Sequence, residues 1–125
     1  MKQVTRDVDP GNAQDLLERV PRACLAFASE NGPQIHPVGL IRHEGRYLVS
    51  IPDEAELQPA SGQEVVLLVD EGIYYFDLRA MYIRGQTKPA VVPPSAPPGR
   101  VWLEVVPLKT VAWDYGKLRE VRNEP

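Results

Sequence analysis

Along residues 101–106 apolar and polar positions alternate, with Val101, Leu103 and Val105 on one face and Trp102, Glu104 and Val106 on the other. That period of two is the signature of a half-buried strand. Pro107, with no amide hydrogen to donate, interrupts the ladder, and the strand resumes through Val111 and Trp113 into a Trp113-Asp114-Tyr115-Gly116 corner. A strand broken once and then carried on predicts a bent edge strand in a small barrel.

Upstream, the same reading gives a three-strand meander over Arg22–Ser29, Gln34–Arg42 and Arg46–Ile51. Asn31-Gly32 and Glu44-Gly45 fall between the runs, and glycine's tolerance of positive φ makes such pairs hairpin turns. A fourth strand is expected at Gln63–Asp70, where Val65–Val69 is apolar on both faces and therefore needs cover on both. Ile73–Asp77 and Ala80–Thr87 read as further strand, with Gly85 as a bulge or close-approach point. Before the meander, Asn12 reads as the cap of one helix, Asp15 favours its dipole, and Leu16, Leu17 and Val20 form its apolar stripe up to Pro21. A turn of helix is possible at Asp53–Leu57, and another in the charged tail from Lys117 onward. Five prolines between Pro89 and Pro98 predict an extended loop. The expected architecture is mainly β: a six-stranded antiparallel barrel with a leading helix, in a single domain over residues 1–125 with an N-terminal arm at 1–11 and a proline-rich loop at 89–99.

Composition narrows the function classes. A net charge of -3 offers no basic surplus for a phosphate backbone, which argues against nucleic-acid binding. No apolar run is long enough to span a bilayer, and the first residues lack the apolar core of a signal peptide, so a soluble, cytoplasmic protein without membrane contact is expected. The single cysteine, Cys24, has no partner for an internal disulfide and is expected as a small core residue. No Cys/His spacing suggests a metal site.

Glycine loops of the nucleotide-binding kind, a nucleophile elbow and a zincin helix are all missing. His43 reads as a solvated turn residue. His36 reads either as a strand residue pointing to solvent or, standing beside Pro37 and Gly39 where side chains thin out, as part of a place where a flat ligand has room to lie against the backbone. Asp53, Glu54 and Glu56 read as a solvated acidic face.

The order of these segments resembles the pyridoxamine 5'-phosphate oxidase-like, FMN-binding split-barrel family over nearly the whole chain. The resemblance rests on the helix at Asp15–Val20, the strand with His36-Pro37-Val38-Gly39, the strand Tyr47–Ile51, the strand Val65–Asp70, the strand ending Ile83-Arg84-Gly85 and the terminal Trp113-Asp114. It implies a Greek-key split barrel, a homodimer with a flavin (FMN) or deazaflavin between the subunits, and hydride-transfer chemistry on a substrate that stays unread. It places the segment His36–Leu40, with Pro37, Val38 and Gly39, along the flavin and Val49 and Ser50 near its phosphate end, and counts Arg84 among the cofactor-binding residues. The chain departs from the family where Glu54, Ala55 and Glu56 stand in place of phosphate-neutralising residues, and Arg79, Arg84, Lys88 or Arg100 could supply the charge from other directions. The alternative is a cofactor-free binding or interaction module of the same fold. Pyridoxamine phosphate is not the implied substrate, because the Trp- and Arg-containing C-terminal segment of the full oxidases is missing.

Overall fold

The computed structural model describes residues 3–20, 22–52, 58–92, 94–117 and 119–121. Two short strands, β1 (Gln3–Thr5) and β2 (Asp7–Val8), lead into a 3-10 turn at Pro10–Ala13 and the helix α1 (Gln14–Arg19). The long strands follow as β3 (Arg22–Ser29), β4 (Gly32–His43), β5 (Arg46–Pro52), β6 (Glu64–Glu71), β7 (Arg79–Pro89) and β8 (Arg100–Asp114), and β9 (Arg119–Val121) pairs back onto β1.

All the long strands pair antiparallel, in the order β8-β5-β4-β3-β6-β7, and β7 pairs again with β8. This last ladder closes a six-stranded barrel, and β2 adds one more strand beyond β8. Because β6 returns beside β3 and not beside β5, the strands β3 to β6 form a Greek key. The meander forms where the turns dictate: Glu44 and Gly45 both adopt positive φ (52° and 76°), the backbone of a tight two-residue hairpin.

Alternation fills the barrel. Ala23, Leu25 and Phe27 of β3 point inward with Val38 and Leu40 of β4, Val65, Leu67 and Val69 of β6, and Met81 and Ile83 of β7. Leu16 and Leu17 of α1 join the same core, so the helix plugs one end. Each fully buried side chain of this size contributes roughly 1.5–3 kcal/mol.

The inward set explains one correction. Cys24 alternates with Ala23 and Leu25 and is exposed on the outer face, opposite Pro37 and Leu68, and is not a core residue. The helix start differs too: α1 has Ala13 at its N-cap position with no side-chain cap, and Asn12 lies inside the preceding 3-10 turn, which Asp9 caps, its Oδ1 accepting from Gly11 N at 2.9 Å with Pro10 in the first position. Ile73–Asp77 is a bend and a 3-10 turn at Tyr75–Asp77, not a strand, because Gly72 at φ +121° reverses the chain. The arm carries β1 and β2, and the tail carries β9 where a helical turn was expected. The segment Asp53–Leu57 and Pro21 lie outside the described residues.

Two predicted irregularities are present. The β7–β8 register shifts at Arg84/Gly85, with Gly85 opposite Pro107 and Arg84 opposite Lys109, so Leu108 is the extra residue of a bulge. Pro107 is tolerated because the pairing of β8 with β5 runs out at Val105, opposite Tyr47, and its pairing with β2 begins only at Ala112. Along residues 106–111 of β8, β7 is the neighbour on one side and no strand among the described residues pairs on the other.

Candidate functional site

Three neighbouring strands bring Gly39 of β4, Ser50 of β5 and Arg100 of β8 together. Gly39 pairs with Ser50 in register, and Arg100 pairs with Pro52, two residues further along β5. Arg100 donates from Nε to Ser50 Oγ at 2.7 Å and from Nη2 to the Ser50 carbonyl oxygen at 2.8 Å. Two bonds to one residue hold the guanidinium in a fixed orientation, while Nη1 takes part in neither. Gly39 makes the arrangement possible: a Cβ there would stand 2.5 Å from Ser50 Oγ and 4.0 Å from Arg100 Nη2.

The charges around the barrel single out Arg100. Arg79 is committed to Asp15 (2.7 Å) and Glu71 (3.0 Å), Arg84 to Glu64 (3.0 Å) and Lys88 to the buried Glu104 (3.6 Å). Arg100 has no carboxylate partner among the described residues. A partly buried cation without a counter-ion is a standing attraction for an anion. Of Arg79, Arg84, Lys88 and Arg100, it is the one without a carboxylate partner among the described residues.

The other sequence-predicted residues divide by strand parity. Val38 and Val49 are core side chains, 3% and 0% exposed, so only their backbone is open to a ligand. Pro37 and Gly39 alternate with Val38 and Leu40 and lie on the outer side, the side of Ser50 and Arg100. His36 turns inward and stacks on Phe27, with ring centroids 5.8 Å apart, and its buried Nε2 has no hydrogen-bond partner among the described residues. Arg84 sits on β7, paired to Glu64 and outside this cluster. Glu54 and Glu56 lie outside the described residues. His43 is exposed at the end of β4, with Glu44 Oε1 at 3.7 Å from its Nε2.

The outer face continues from this cluster across β3 and β6. Cys24, Ala26, Val66 and Leu68 stand side by side there, and a groove of about 350 Å³ runs past Ala26, Ile35 and Val66. Ile35 is 69% exposed. No helix among the described residues is long and apolar enough to cross a membrane, and no cluster of three metal-ligating side chains occurs among them.

No protein-family model matches the sequence, and no curated protein matches it significantly. Solved structures match the fold. The FAD-binding protein from Mycobacterium smegmatis superposes with a TM-score of 0.67 at 17% identity, over 96% of this chain and 100% of its own. The FAD and heme binding protein from the same organism gives 0.68 at 12% identity, over 90% of this chain and 74% of its own. A candidate pyridoxamine 5'-phosphate oxidase from Corynebacterium glutamicum gives 0.65 at 12% identity, over 95% and 100%. The barrel described above is therefore the one that these structures share.

Proposed function

The fold is the pyridoxamine 5'-phosphate oxidase-like split barrel, and on it we propose a flavin-dependent oxidoreductase that binds the phosphate of its flavin at Arg100. The observation that carries this reading is the guanidinium of Arg100, oriented by Ser50 and without a carboxylate partner among the described residues. Two of the three structural relatives are described as FAD-binding, which supports a flavin as the class of ligand. FMN is the smallest flavin that offers the terminal phosphate, and FAD and deazaflavin nucleotides present phosphate as well.

The donor set fits the group. Arg100 supplies positive charge and an Nη1 that takes part in neither bond to Ser50, and Ser50, only 2% exposed, positions that charge by accepting from Nε. Pro37 and Gly39 leave the neighbouring strand poor in side chains, which suits a flat ring laid along it. A bound flavin supplies hydride transfer, while the protein orients and encloses it. Enclosure requires a second copy: the site opens onto the apolar outer face of β3 and β6, and a homodimer through that face covers both at once.

Titration with FMN, FAD and riboflavin, followed by flavin fluorescence, tests the reading. FMN is expected to bind about tenfold or more tightly than riboflavin, a difference of about 1.4 kcal/mol from the phosphate. Arg100→Ala is expected to erase that difference and leave riboflavin binding unchanged. Equal affinity for the two flavins, or none for any, overturns the reading and favours the cofactor-free module.

A further inference from the structure

The connection between β6 and β7 exposes four consecutive large apolar side chains: Ile73 (91%), Tyr74 (60%), Tyr75 (77%) and Phe76 (55%). Scattered apolar residues on a surface are ordinary, but four in a row on one tight loop form a contiguous patch. The loop is also built to hold its shape. Asp77 N donates to Tyr74 O at 2.9 Å and Leu78 N to Tyr75 O at 3.2 Å, forming the 3-10 turn. At its neck, Gly72 adopts φ +121°, and a Cβ there would stand 2.8 Å from the Asp77 carbonyl oxygen. Tyr74 and Phe76 stack with centroids 5.2 Å apart and planes 6° from parallel, and Tyr75 meets Tyr115 edge-on at 6.4 Å. The aromatic surface continues from Tyr115 to Trp113, where Arg6 lies over both rings, 5.0 and 5.8 Å from their centroids.

Beside this platform the cations Arg6 and Lys117 are engaged within the chain, Arg6 over the rings of Trp113 and Tyr115 and Lys117 Nζ at 4.0 Å from Asp114 Oδ2. Asp70 and Asp77 are exposed at the two ends of the loop, and neither has a cationic partner among the described residues. Arg79, the cation next to it in sequence, is consumed by Asp15 and Glu71. Arg6 shows what the rings accept from within the chain itself, a guanidinium over an aromatic face.

We propose that the Ile73–Phe76 loop is a docking surface for a basic protein segment, one that lays arginine side chains over the rings and against Asp70 and Asp77, with aliphatic residues between them. Uncompensated carboxylates oppose an anionic membrane, and a chain of net charge -3 makes a second copy the poorer complement. Tyrosine and arginine are also the residue types that concentrate binding energy at protein interfaces.

The probe is a short peptide alternating arginine with leucine, set against the same peptide with glutamate for arginine and against vesicles containing phosphatidylserine. Affinity is read by calorimetry on the whole chain, and the contact is mapped by amide shifts of Ile73–Asp77. The arginine peptide is expected to bind and the glutamate peptide not. Tyr75→Ser with Phe76→Ser is expected to weaken binding about tenfold, and Asp70→Asn with Asp77→Asn to weaken it severalfold and flatten its salt dependence. All four positions are exposed, so far-UV circular dichroism should be unchanged in each variant. Binding that ignores both pairs of substitutions overturns the proposal. So does vesicle binding that depends on the loop, which would assign it to a membrane, or a fall in the mass of the protein itself when the loop is changed, which would assign it to a second copy.

Discussion

Arg79 and Asp15, 64 residues apart, meet in a two-pronged ion pair, Nη2 to Oδ1 at 2.7 Å and Nη1 to Oδ2 at 3.0 Å. The same guanidinium reaches Glu71 Oε1 at 3.0 Å and the Asn12 carbonyl oxygen at 3.1 Å, so it ties the helix end of the chain to the barrel rim. Planar two-pronged geometry is specific to arginine. Arg79→Ala is expected to cost about 1–3 kcal/mol and Arg79→Lys to recover only part of it, as read from denaturation midpoints.

The hydrogen bond to Asp15 raises the Arg79 pKa above the ordinary arginine value; burial, next in size, opposes it, and the charge of Asp15 and the hydrogen bond and charge of Glu71 add to the rise. A cation whose pKa rises on folding stabilises the fold at every pH below its unfolded value and loses that effect only as pH passes the folded one. The Arg79 contribution should therefore persist undiminished to about pH 11. A wild-type minus Arg79→Ala stability difference that shrinks between about pH 8 and 10 would contradict this.

Gly39→Ala places a methyl group where Ser50 Oγ sits, 2.5 Å away, and so pushes the hydroxyl off Arg100. The expected outcome is a loss of about 1–2 kcal/mol of stability together with FMN affinity reduced to the riboflavin level. Ser50→Ala, which removes the acceptor without adding bulk, should lower FMN affinity with a smaller effect on stability. Denaturation and flavin titration on the two variants separate these outcomes.

If the outer face of β3 and β6 is the dimer contact, light scattering should give a mass about twice that of the chain. Leu68→Lys, placing a charge beside Cys24 and Val66, should then yield a folded monomer. A wild type that is already monomeric at micromolar concentration removes the dimer.

Trp113 packs on Tyr82 with centroids 5.4 Å apart and lies under Arg6, and it is half-buried. Its alanine variant should cost about 2–3 kcal/mol, at or below the range for a fully buried ring, because solvent already reaches one side. Thermal unfolding of Trp113→Ala and Trp113→Phe gives the comparison, with Phe the milder.

What could be read from the sequence was what is local. Arg22–Ser29 is a strand over the very residues that its turn signals bracket, and Gly85 marks the register shift. The phase of β3 was hidden, because residues 23–28 are small or apolar at both parities and alternation carries no contrast there. Cys24 was therefore placed on the wrong face. Ile73–Asp77 has the aromatic composition of a strand, and only the backbone of Gly72 reveals the reversal. Asp9 was legible as the cap of a 3-10 turn from Pro10 after it, whereas the spacing from Asn12 to Asp15 misled, because α1 starts from Ala13 with no side-chain cap. The state of Arg100 was not legible, since it depends on which acids the fold gives to Arg79, Arg84 and Lys88.

The one-sided stretch of β8 bears on how the protein behaves when crowded. Backbone groups left open along a strand invite another chain to continue the sheet, the route to fibrils. Here Pro107 withholds a donor, the Leu108 bulge breaks the regular repeat, and Lys109 adds charge to any approaching copy. A foreign strand finds no unbroken template here, so this stretch of β8 stays one-sided without recruiting neighbouring molecules into a growing sheet.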